Sequence, residues 1–121
     1  MKIIKTGEIP KNIATSPLFT GGQVIQQPII TPAMSKFFNV SLVTFAPGAR
    51  NKFHAHTTDQ VLIVTAGKGI VATENEQIIV TTGDVIQFPA GEKHWHGATK
   101  DSSFAHIYFT GVESKTTQLE Q

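Results

Sequence analysis

The sequence predicts an all-β protein, a sandwich or barrel of short strands folded as one domain. Three observations carry this reading. No stretch sustains a 3.6-residue apolar repeat with capping residues, so at most one helical turn is expected anywhere. Gly, Pro and Asn instead punctuate short β-branched and aromatic runs along the whole chain. All five histidines stand at even positions in three alternating segments, His54-Ala55-His56, His94-Trp95-His96 and the run around His106, which is the period of a strand face.

Taken in order, Pro10, Pro17 and Gly21-Gly22 keep residues 1–22 out of a central strand, and an edge strand with an irregular arm is expected there. Gln23 to Gln27 reads as the first well-formed strand, after which Pro28 and Pro32 bracket Ile29-Ile30-Thr31. Phe38 to Phe45 alternates, and its even face, Val40 and Leu42, is assigned to the interior against polar Asn39 and Ser41. Ala46-Pro47-Gly48-Ala49 then turns the chain toward Phe53 and the first histidine pair. Val61 to Val64 is apolar on both faces, and parity puts Val61, Ile63, Ile79 and Trp95 outward. Such a patch needs cover, so a homodimer or homotetramer is expected.

Ala66-Gly67-Lys68-Gly69 reads as a tight turn, and Ile70-Val71-Ala72 and Gln77 to Val80 as a hairpin around Thr73 to Glu76. Thr82-Gly83-Asp84 and Pro89-Ala90-Gly91 are turns flanking the strand Val85 to Phe88. Phe104 to Phe109 alternates, with Phe104, His106 and Tyr108 sharing a face. The barrel is therefore placed at residues 23–112, and the polar residues 113–121 are expected to be a frayed tail.

Composition narrows the function. The 121 residues make one domain with a real core, and ten Lys plus Arg against nine Asp plus Glu, with no basic run, argue against a nucleic-acid partner. Cysteine is absent, so a disulfide framework, a thiolate nucleophile and any Cys-held zinc or iron-sulfur centre are excluded. The N-terminus lacks a secretory apolar core and no segment approaches the ~18 apolar residues of a membrane span, so a cytoplasmic protein is the expectation. Neutral imidazole is the commonest protein ligand for borderline metals, and His54, His56 and Gln60 project the same way from one strand. A metal site is the leading reading of the histidines.

The spacing also resembles a known family. Gly48, five residues, His54-x-His56, three residues, Gln60, six residues and Gly67 is similar to the first motif of the cupin superfamily, with Gln60 where Glu is usual. Gly83, five residues, Pro89-x-Gly91, two residues and His94 resembles the second motif, with Ala98 where Asn is common. The resemblance implies a cupin-type double-stranded β-helix, a jelly-roll barrel, carrying one metal held by His54, His56, Gln60 and His94. Within the superfamily, Gly91-Glu92-Lys93-His94-Trp95-His96-Gly97-Ala98 with His106 downstream looks most like the small bacterial manganese-dependent hydroxynitrile lyases, in the carboxymuconolactone-decarboxylase-like cupin group. Other small cupins with a Gln ligand open the ring of sugar uronates.

That resemblance implies Mn²⁺ as cofactor, with Fe, Ni or Zn chemically admissible, a small-molecule substrate, and proton handling at His96 and His106. Asn51 falls on a third polar position of the site, where the resembling lyases carry a smaller hydroxyl residue. A His₃Gln shell is neutral, so it leaves the ion's full charge to act as a Lewis acid, and it departs from the two-His-one-carboxylate set used for oxygen activation by iron. The expected function is cyanohydrin cleavage and synthesis. The alternatives are an isomerase or decarboxylase of a small keto or uronic acid, for which Arg50, Lys52 and Lys93 are the candidate anion binders, and a non-catalytic small-ligand-binding cupin.

Overall fold

The computed structural model describes residues 1–121, and all but one turn of its regular structure is β. The exception is a 3₁₀ turn at Thr6–Glu8. The strands are β1 (Asn12–Ile13), β2 (Phe19–Thr20), β3 (Val24–Ile30), β4 (Phe38–Phe45), β5 (Arg50–Asn51), β6 (His54–His56), β7 (Gln60–Thr73), β8 (Gln77–Thr81), β9 (Val85–Phe88), β10 (His94–Ala98), β11 (Phe104–Gly111) and β12 (Thr116–Gln118). Every pairing is antiparallel, in the order β1-β3-β4-β11-β7-β10-β5-β2.

The 14-residue β7 is the strand that the two halves of the barrel share. Its first part pairs with β11 and β9, and its second part pairs with β10 and β8. The tight turn expected at Ala66 to Gly69 is instead a continuation of this strand. Its register against β11 shifts between Ala105 and His106, a bulge that bends the strand from one sheet to the other. Gly67 follows the bulge at φ +73°, and a Cβ there would lie 1.9 Å from the Ser103 carbonyl oxygen.

Three further expectations are corrected. The inner face of β4 is the odd one: Phe45 pairs with Phe104, Val43 with His106 and Asn39 with Thr110, and directly opposed residues share a face. Asn39 and Ser41 misled because this lumen is polar at one end. Proline does not end β3, which runs through Pro28 with a register shift between Pro28 and Ile30. Residues 116–118 are not frayed: β12 pairs with β6 in register Thr116 to His56, Thr117 to Ala55 and Gln118 to His54. The arm is docked too. Its β1 and β2 pair with β3 and β5, and the Gln27 amide donates to the Thr6 and Ile9 carbonyls at 3.2 and 2.9 Å.

The apolar core fills the other end of the barrel, with Phe45, Phe104, Leu62, Val24 and Val64 fully buried. Of the residues that parity places outward, Ile79 is exposed and Val61 and Ile63 are half-buried, whereas Trp95 is buried within the chain itself beneath the Arg50 guanidinium, 4.6 Å from the ring centroid. No helix is long and apolar enough to cross a membrane.

The bulge at β7 gives a direct test. Gly67→Ala adds a left-handed backbone strain to a collision with backbone, whereas Gly83→Ala, at φ +94° with no atom within 4 Å of the added Cβ, adds the strain alone. Urea unfolding is expected to show a loss of about 1 kcal/mol for Gly83→Ala and more than about 3 kcal/mol for Gly67→Ala. The reverse order would contradict this account of the bend.

Candidate metal centre

Two short strands and the start of the long β7 bring the donor atoms together. β6 places His54 and His56 two residues apart on one face, β10 sets His94 directly opposite His54, and Gln60 opens β7. One nitrogen from each of His54, His56 and His94 lies within 4.8 Å of the others. The His54 and His94 ring centroids are 4.4 Å apart, and Phe88 stacks on His94 at 3.8 Å.

The other ring nitrogens are occupied. His54 Nδ1 lies 2.7 Å from the Lys52 carbonyl and His94 Nδ1 lies 2.8 Å from the Glu92 carbonyl, each two residues earlier in the chain. A carbonyl oxygen only accepts, so both imidazoles carry their proton on Nδ1 and turn an Nε2 lone pair inward. His56 Nδ1 meets the Thr116 hydroxyl at 2.9 Å, and its Nε2 is buried without a partner.

Gln60 stands beside the triad and adds to its fit for a cation. His94 Nε2 and Gln60 Oε1 are 3.1 Å apart, and in this orientation of the amide, with the His94 proton committed to Glu92, both atoms are acceptors. Two facing lone pairs in a buried site are relieved by a cation between them. Burial adds to this by holding the imidazoles neutral, the ligating form. Burial lowers His54, and it lowers His56 to about 4 and His94 to about 3, with the neighbouring imidazoles adding repulsion to the last two. The His₃ cluster therefore suits one divalent ion.

A second polar group adjoins the first. The Asn51 Oδ1 accepts the His96 backbone N–H at 2.8 Å, which fixes the amide and aims its Nδ2 at His96 Nε2, 3.2 Å away. The amide donates, so His96 carries its proton on Nδ1 and donates it in a hydrogen bond to His106 Nε2 at 3.2 Å. His106 is then protonated on Nδ1, a buried atom without a partner. Burial lowers His96 well below its ordinary value and His106 to about 3, so the whole line is uncharged at neutral pH. Phe45 packs edge-on to His96 and tilted on His106, at 5.9 and 5.6 Å.

Both groups open on one cavity of about 450 Å³. The arm contributes Leu18 and Phe19 to its wall, and the C-terminal segment contributes Ser114, Thr116 and Gln118. Sequence reasoning passed over these five; the only signal for the last group was the β-branched pair Thr116-Thr117. Trp95 does not line the cavity, and neither does Arg50, Lys52 or Lys93. Arg50 is half-buried and bonded to Glu120 at 2.6 Å, while Lys93 reaches Glu74 at 3.4 Å.

Five histidines with lowered values make the metal-free fold sensitive to acid. Unfolded imidazole titrates near 6.5 and these titrate lower, so below about pH 6.5 the unfolded chain binds more protons and stability falls with pH. Each such proton contributes on the order of 1.4 kcal/mol per pH unit, discounted for the less buried rings. The urea midpoint of metal-free protein is expected to be level above pH 6.5 and to drop steadily from 6.5 toward 4. An unchanged midpoint at pH 5 would contradict the neutral-imidazole description.

Comparison with known proteins places this geometry. The sequence profile of the family described as Cupin domain matches residues 41–111. An (R)-mandelonitrile lyase from Granulicella tundricola is 37% identical over 108 residues, covering 88% of this chain and 82% of that protein. An acireductone dioxygenase from Trichormus variabilis is 34% identical over 68 residues, 51% of this chain and 37% of the dioxygenase. Among solved structures, a cupin-like protein from Thermotoga maritima superposes with a TM-score of 0.84 at 31% identity, covering 100% of this chain and 90% of that one. A polyketide cyclase from Streptomyces resistomycificus superposes at 0.89 over 100% of this chain and 87% of its own, and at 16% identity it speaks for the fold alone. The chain is a single-domain member of the cupin family, with a histidine triad suited to a divalent metal in its jelly-roll barrel.

Proposed function

We propose that the protein is a metal-dependent lyase of hydroxynitrile lyase type, cleaving and forming cyanohydrins, with His54, His56, Gln60 and His94 holding one divalent ion, Mn²⁺ first among Mn, Fe, Ni and Zn. The observation that carries this reading is the uncharged Asn51-His96-His106 line set beside a neutral donor cluster in one cavity. The 37% identity to a mandelonitrile lyase supports it. Bound at these donors, a divalent ion supplies Lewis acidity that lowers a hydroxyl pKa and favours a developing anion.

The chain's residues supply the proton chemistry. The His96 ring centroid is 5.8 Å from those of His54 and His94, and the unprotonated nitrogen of His96 is Nε2. For the reaction the Asn51 side chain swings off His96 Nε2, giving up its 2.8 Å contact with the His96 N–H, and a substrate hydroxyl gives up its proton to the freed lone pair. The oxygen electrons form the carbonyl double bond, and the carbon-carbon electrons leave with cyanide. His96 returns the proton to cyanide, and the released pair is an aldehyde or ketone and hydrogen cyanide. His106 accepts the Nδ1–H of His96 throughout, which holds the ring in orientation and spreads its transient charge. Gln60 keeps the donor set neutral, where a glutamate would oppose the departing anion.

The cavity wall favours this over an acidic substrate. A keto or uronic acid needs a cation for its carboxylate, yet no lysine or arginine lines the cavity, and Arg50 and Lys93 are already engaged with Glu120 and Glu74. A purely binding cupin would need no proton carrier.

Mandelonitrile cleavage by metal-loaded protein, read as benzaldehyde release, is expected to exceed that of a metal-stripped control. His96→Ala should lower turnover by about 10²–10⁴-fold with metal content retained, and Gln60→Glu should lower turnover while still binding metal. Release no faster than the control would reject the cyanohydrin reaction, and full turnover in His96→Ala would reject the proton route.

A further inference from the structure

The three ligand imidazoles are not held alike. His54 and His94 meet backbone carbonyls, which enforce a proton on Nδ1. His56 meets a hydroxyl, which can donate as well as accept. Its Nε2 lies buried with no hydrogen bond of good geometry, and the Gln60 side chain is the polar group beside it. His56 is also the least buried of the three and is supported by β12, an exposed strand that pairs with β6 and contributes to the cavity wall.

Resting on the metal reading above, we propose that Thr116 is a positioning residue of the metal site: its hydroxyl accepts the Nδ1–H of His56 and so selects the tautomer whose Nε2 is free to ligate. Without that acceptor the ring reverts toward the Nε2–H form that free histidine prefers, and the proton blocks the ligating atom. The residues that matter to the site thus extend into the C-terminal strand, beyond both histidine motifs.

The surroundings of β12 hold the hydroxyl in place independently of the hydrogen bond it makes. On one side the Lys115 carbonyl accepts Thr57 N–H at 3.0 Å, and the Thr57 hydroxyl accepts Lys115 N–H at 2.9 Å. On the other side Leu119 N–H reaches the Phe53 carbonyl at 2.7 Å, and Glu120 accepts Phe53 N–H at 2.9 Å while bonding Arg50. With both flanks tied, Thr116→Val keeps the β-branched shape and the strand and removes only the acceptor. Thr116→Ser keeps the acceptor.

The test measures cobalt(II) affinity by competition with a chelator, and the ring tautomers by ¹⁵N NMR of metal-free protein at pH 7.5. Thr116→Val is expected to bind cobalt(II) about 10–100-fold more weakly and to move His56 toward the Nε2–H tautomer, leaving His54 and His94 on Nδ1–H. Thr116→Ser is expected to restore both readouts. Wild-type affinity in Thr116→Val, or an Nε2–H His56 in the wild type, would overturn the proposal, and the wild-type spectrum decides even if the valine variant fails to fold. Wild-type protein that binds no cobalt(II) would instead overturn the metal reading beneath it.

Discussion

Two hydrogen bonds set the character of this molecule: His54 to the Lys52 carbonyl and His94 to the Glu92 carbonyl. Each spans two residues of its own chain, so the proton position on the ring is set by the local backbone. Each leaves an unprotonated nitrogen facing the lumen. The barrel then has only to bring β6 and β10 into register, and the lone pairs converge. A cluster of buried, unsatisfied acceptors would be costly in an ordinary core. Here the cost becomes affinity, because one cation satisfies several acceptors together.

The fold keeps this cluster from being diluted. Phe45 and Phe104 close the lumen on the apolar side, and Phe88 stacks flat on His94, so the imidazoles face a dry wall on one side and the cavity on the other. Burial is what keeps five histidines uncharged within a few ångströms of one another. It also makes the Asn51-His96-His106 line directional: one backbone hydrogen bond to Asn51 fixes the amide, and every proton after it follows. The proposed ligation and the proposed proton transfer therefore rest on the same device, an acceptor at the far side of each ring.

Much of this was legible in the sequence, and what was missed has a common physical cause. Even spacing of histidines on strands survives folding, so His54, His56, Gln60, His96 and His106 do line one cavity, and His94 reaches the same donors. Parity failed on β4 because it assumed a hydrophobic interior, whereas a functional lumen puts Asn39 inside. The shared strand β7 was cut in two because Gly67 and Gly69 look like a turn; there the glycines serve a bulge and close packing against Ser103 and Phe104. Thr116 and Gln118 carry no apolar pattern, so the sequence suggests a frayed tail, whereas β12 is held by main-chain pairing and by Glu120. Polarity marks solvent exposure in most strands, but near a metal site it marks the site.

The central claim is that four neutral donors in the lumen hold one divalent ion. Elemental analysis tests it most directly, on protein purified without added metal, then loaded with Mn²⁺, Fe²⁺, Ni²⁺ or Zn²⁺ in turn and desalted. The account predicts one equivalent retained per chain for at least one of these ions, and its loss in His94→Ala. Near-zero occupancy that none of the four ions restores would contradict it.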